Sequence, residues 1–81
     1  MNAQDILQHL QLCLPKLSPF LREDARLREL GLDSMDTVEL LCVVHEEFGV
    51  RLTEAEFQPH HRLADVLAVI ATRAKPKLAV A

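Results

Sequence analysis

Residues 31–40 read GLDSMDTVEL, and Ser34 is the residue in this stretch whose position invites chemistry. It follows Asp33, lies two residues before Asp36, and opens a run with apolar periodicity. A hydroxyl at a helix start can cap the first turn by accepting a backbone N–H bond. It can also bear a covalent group. A helix N-terminus presents unpaired N–H groups and a partial positive charge, which suit a phosphodiester on that oxygen. Nucleophilic catalysis is the weaker use, because no histidine lies nearby to activate the serine.

Other chemistry is scarce in this chain. His9, His45, His60 and His61 show no metal-ligand spacing with Cys13 or Cys42, so no metal site is expected. There is no GxSxG motif, no glycine-rich phosphate loop and no HExxH. The two glycines, Gly31 and Gly49, both suit turns. The expectation is a protein that catalyses nothing by itself.

The elements that must position Ser34 are helical. The 81 residues suffice for one domain with an adequate but thin core. Three Phe are the whole aromatic content, and Leu and Ala outnumber β-branched residues, which favours helices over sheet. Ala3, Ile6, Leu7, Leu10 and Leu14 repeat at helical spacing, with Asn2 as cap and Pro15 as stop. Residues 15–33 form a long connection, strapped to the core by Leu17, Phe20, Leu21, Leu27, Leu30 and Leu32, with a helical turn after Pro19. A second helix is predicted from Ser34 to Phe48, capped by Asp33 and stopped by Gly49. On it Thr37, Leu40, Leu41, Val44 and Phe48 make the core face. Met35, Val38 and Cys42 make an outer apolar stripe, and Asp36, Glu39, Glu46 and Glu47 an acidic one, while Val43 fits neither. Thr53-Glu54-Ala55-Glu56 reads as a capping box opening a short third helix that Pro59 ends. Leu63, Val66, Leu67 and Ile70 define a last helix from about Arg62 to Ala74.

The expected fold is therefore all-α, with three main helices, one short third helix and a long loop between the first two. Residues 1–75 form the domain and 76–81 a flexible tail. Net charge is −3, unevenly placed: residues 33–58 carry seven acids against Arg51 alone. That acidic middle argues against nucleic acid and for a basic protein partner. The opening MNAQDILQHL has no basic region before an apolar one, and no apolar run approaches the roughly 20 residues of a membrane span. A cytoplasmic monomer with reduced thiols is the expectation.

GLDSMDTVEL resembles the prosthetic-group site of acyl carrier proteins, in which Asp-Ser-Leu precedes an acidic residue and an amphipathic helix. DARLRELGLDSMDTVELLCVVHEEFGV is similar to the long loop and second helix of that family, RLTEAEF to its short third helix and RLADVLAVI to its fourth. The resemblance covers almost the whole chain. It implies a four-helix bundle in which Ser34 carries 4′-phosphopantetheine, installed from coenzyme A by a phosphopantetheinyl transferase. The arm's thiol then holds an acyl group as a thioester for fatty-acid or polyketide-type enzymes, such as a ketosynthase and tailoring enzymes with basic docking surfaces. Asp33, Met35, Asp36, Val38, Glu39, Cys42, Glu46 and Glu47 are the implied recognition residues.

Three departures from the family pattern stand out. Met35 replaces the usual leucine, a swap that conserves volume. His45 takes the place of the first of three acids before Phe48. His60-His61-Arg62 replaces a Thr or Ser cap before the last helix. These leave fatty-acid and specialised pathways both open. The alternatives are a peptidyl or D-alanyl carrier, which the run Asp36-Thr37-Val38-Glu39-Leu40 disfavours, and an unmodified helical interaction module.

Overall fold

A computed structural model describes residues 2–74 of the chain. Helix α1 spans Ala3–Cys13, α2 spans Ser34–Phe48 and α3 spans Leu63–Arg73. Single 3₁₀ turns lie at Ser18–Phe20, Leu27–Glu29 and Glu54–Glu56. No strand occurs among the described residues; Arg26 and Arg62 form one isolated bridge. The tail expected at 76–81 lies outside the described residues.

The apolar periodicity places the core as read. Ile6, Leu7 and Leu10 of α1, Leu40, Val44 and Phe48 of α2, and Leu63, Val66, Leu67 and Ile70 of α3 are all buried. Thr37 and Leu41 sit at the edge of that face, half-buried. Val43 is also half-buried and packs against the core, so the apolar arc of α2 is wider than a single stripe. Where the helices meet, a void of about 10 Å³ is lined by Leu10, Leu40, Val44, Leu63, Leu67 and Ile70, among others.

Two expectations need correction. The short third helix is a single 3₁₀ turn, because Phe57 already leaves helical geometry and Pro59 cannot donate a further N–H bond. The long connection does strap the core through Leu17, Leu21, Leu27 and Leu30, joined by Ala25, but Phe20 is turned out and 49% exposed. Leu32 is half-buried. The turn expected after Pro19 contains it, and the turn at Leu27–Glu29 was not foreseen.

That connection also does the work of the missing cap on α3. Leu63 N–H donates to the Ala25 carbonyl at 3.0 Å and Ala64 N–H to that of Glu23 at 2.9 Å. Two of the first N–H groups of α3, which have no partner within the helix, are thereby satisfied from the loop. Arg62 adds a bond from its guanidinium to the Asp24 carbonyl. Residues 23–27 and 61–64 are thus stitched together, and the loop is an ordered part of the fold.

Candidate functional site

The first turn of α2 is built by Asp33. Its Oδ1 accepts the Asp36 N–H at 2.7 Å, and Asp36 Oδ2 accepts the Asp33 N–H at 3.2 Å. The Asp33 carbonyl receives both the backbone N–H and the hydroxyl of Thr37, each at 3.0 Å. Upstream, Gly31 adopts φ +77°, a left-handed turn that glycine enters without penalty, just before the chain starts α2.

Ser34 is the first residue of this helix and is exposed. Asp33 caps the turn, so the Ser34 hydroxyl makes no hydrogen bond among the described residues. The Ser34 and Met35 N–H groups, at the same end, also have no acceptor there. An unclaimed hydroxyl beside two open donors fits a phosphate ester on that oxygen. Alongside, Leu32 and Thr37 join Leu27, Arg28, Phe57 and Pro59 in lining a groove of about 310 Å³.

Along α2 the outer stripe stands as read. Met35 is 78% exposed and Val38 59%, and Cys42 is exposed too. Glu39 and Glu46 are exposed, and neither carboxylate is hydrogen-bonded among the described residues. Asp33 and Asp36 lie at the same end, but their carboxylates are engaged in the capping box.

Glu47 is the exception. It is half-buried and turned toward α1, where its Oε1 meets His9 Nε2 at 2.7 Å. The same approach gathers His9, Cys13 and Glu47, whose ligand atoms all lie within 4.8 Å of one another. Neither Cys13 nor Cys42 is joined in a disulfide among the described residues. The linear sequence concealed this trio because one member comes from another helix. The only local signal was the four-residue spacing of His9 and Cys13, which puts both on one helix face.

Comparison with known proteins decides the family. The model described as "Phosphopantetheine attachment site" matches residues 5–70, most of the chain. The chain belongs to that family. Its prosthetic group is covalently attached 4′-phosphopantetheine, and the family consists of carriers rather than enzymes. The carrier is also similar to an acyl carrier protein of Solidesulfovibrio magneticus, at 36% identity over 42 residues, which is 52% of this chain and 54% of that protein. One from Akkermansia muciniphila is 39% identical over 44 residues, 54% of this chain and 55% of its own length. The carrier spans about half the length of the curated relatives it matches. No solved structure gave a significant match. No helix among the described residues is long and apolar enough to cross a membrane.

Proposed function

We propose that this carrier holds its 4′-phosphopantetheine on Ser34 and serves as an acyl carrier. The supporting observation is the division of labour at the start of α2: Asp33 makes the cap, and the exposed Ser34 hydroxyl is left over. A phosphopantetheinyl transferase would bring the serine oxygen onto the pantetheine-bearing phosphorus of coenzyme A, with the hydroxyl proton passing to a base on the transferase and 3′,5′-adenosine bisphosphate leaving. When bound, the group supplies a thiol on a flexible arm, to which an acyl group is joined as a thioester. The chain itself contributes a rigid anchor and a helix end whose open N–H groups favour the phosphate. Tethering then raises the acyl group's effective concentration at a partner's site.

The partners are the transferase and the synthases and tailoring enzymes of an acyl-chain pathway, with basic surfaces that meet α2. Met35, Val38 and Cys42 offer the apolar part of that contact, and Glu39 and Glu46 its free charges; Asp33 and Asp36 add the field of a capped helix end. Glu47 is withdrawn from this surface by His9. The acidic register of α2 favours an acyl over a peptidyl or D-alanyl carrier, with the cytoplasm as its place of work.

The test is an intact-mass measurement after incubation with coenzyme A, magnesium and a broad-specificity transferase. One phosphopantetheinyl group should be gained by the natural chain and none by Ser34→Ala. A chain left unmodified by two different active transferases would overturn the proposal.

A further inference from the structure

We propose that His9, Cys13 and Glu47 form a binding site for a zinc-class divalent ion that joins α1 to α2 at the end remote from Ser34. Their donor atoms are an imidazole nitrogen, a sulfur and a carboxylate oxygen, all within 4.8 Å of one another. That mixture suits zinc and its neighbours rather than magnesium or calcium, which take oxygen ligands. Metal–ligand bonds of about 2.0–2.3 Å around a tetrahedral ion place its ligands roughly 3.3–3.8 Å apart. Side-chain adjustments of about an ångström close the set. His9 Nε2 already points at Glu47 Oε1 from 2.7 Å.

The site has further features of a usable one. The His9 ring packs edge-on against buried Phe48, with centroids 5.3 Å apart and planes at 67°, which restrains the imidazole. Cys13 is exposed, while the His9 and Glu47 side chains retain 40% and 25% exposure, so an ion can enter and a water can fill the fourth position. On binding, Cys13 gives up its thiol proton and His9 the Nε2 proton it shares with Glu47; the ring is left as the neutral tautomer protonated on Nδ1, with the Nε2 lone pair facing the ion and the released protons taken by solvent. Thiolate, carboxylate and neutral imidazole together balance the charge of a divalent ion. The helix places Glu47 thirteen residues from Ser34, about 20 Å along α2, so the ion and the arm do not compete for space.

The experiment uses the full chain, free of any affinity tag, unmodified at Ser34 and kept reduced by a phosphine. Titration with cobalt(II) should saturate at one equivalent and raise near-ultraviolet thiolate-to-cobalt absorption. That absorption should vanish in Cys13→Ser and persist in Cys42→Ser. Zinc affinity, read by competition with a chromophoric chelator, should fall by at least about tenfold in His9→Gln and in Glu47→Gln. Circular dichroism checks that each variant stays helical, and zinc should raise the melting temperature of the natural chain but not of a chain carrying His9→Gln, Cys13→Ser and Glu47→Gln together. No zinc or cobalt binding up to submillimolar ion would overturn the proposal. So would binding that survives Cys13→Ser, or that disappears when the adjacent pair is changed as His60→Gln with His61→Gln.

Discussion

At the scale of single residues, several acids of this chain hold backbone, while Glu39 and Glu46 face solvent and Glu47 pairs with His9. Asp5, Glu29, Asp36, Glu56 and Asp65 each accept the N–H of the residue three positions earlier, at the start of a helix or turn. An acid in that role stabilises its own element before it recognises anything else. This gives a clear expectation at the proposed attachment site. Asp33→Ala should destabilise the fold by about 1 kcal/mol, since it removes the cap of α2. Ser34→Ala should leave stability nearly unchanged, because its hydroxyl supports no described bond. Urea midpoints of the two variants measure this, and the reverse order would show that Ser34 is the structural residue. The helix start at Ser34 and its Asp33 cap were legible in the sequence because both lie within one short capping motif. Glu47 was misread, and the His9–Cys13–Glu47 cluster missed, because a partner 38 positions away leaves no local trace.

At the scale of elements, what ends and joins the helices matters as much as their apolar faces. Gly49 stops α2 at φ +69°, and its N–H closes on the His45 carbonyl at 2.9 Å. A Cβ at Gly49 would meet nothing within 4 Å, so Gly49→Ala isolates the backbone penalty. That substitution should cost about 1 kcal/mol in thermal or denaturant unfolding, with the helix content unchanged. The turn Glu54–Glu56 is tied to the end of α3 by the ion pair of Glu56 with Arg73. The Thr53 backbone N–H first, and Arg73 second, hold the Glu56 carboxyl below its usual value of 4.5. Folding thus favours the ionised form. Its contribution is complete above the unfolded value and is lost as pH falls through the lower folded one. Below about pH 4.5 the natural chain should therefore lose stability more steeply than Glu56→Gln, as melting temperatures across an acid series would reveal. Parallel slopes would mean the pair is loose in solution. Both junctions carry sequence signals, a glycine and a capping box. The stitching of residues 23–27 to 61–64 carries none, since it is made by backbone carbonyls that any residue supplies.

At the scale of the whole molecule, the fold separates a closed interior from a one-sided exterior. The void lined by Leu10, Leu40, Val44, Leu63, Leu67 and Ile70 measures only about 10 Å³, so a chain entering there must part the core. Recognition then falls to the exterior, where residues 33–58 hold most of the excess negative charge. Reversing Asp36 would test that charge poorly, because it would also break the capping box. Glu39 and Glu46 are exposed and unengaged among the described residues, so Glu39→Lys with Glu46→Lys changes the field without touching the framework. An approaching basic surface should then meet repulsion instead of attraction, and the effect should fall mainly on the association rate. Modification of Ser34 by a transferase should slow by about an order of magnitude at low salt. The natural chain's own rate should drop toward that of the variant as salt rises, since exposed charges are screened over roughly 8–10 Å at physiological ionic strength. Asp24→Lys with Glu54→Lys makes the same change in net charge away from α2 and should leave the rate much closer to that of the natural chain. Equal slowing in the two double variants would reduce the acidic face to bulk charge. An unchanged rate in the Glu39 and Glu46 variant would leave the apolar stripe of Met35, Val38 and Cys42 as the recognition surface.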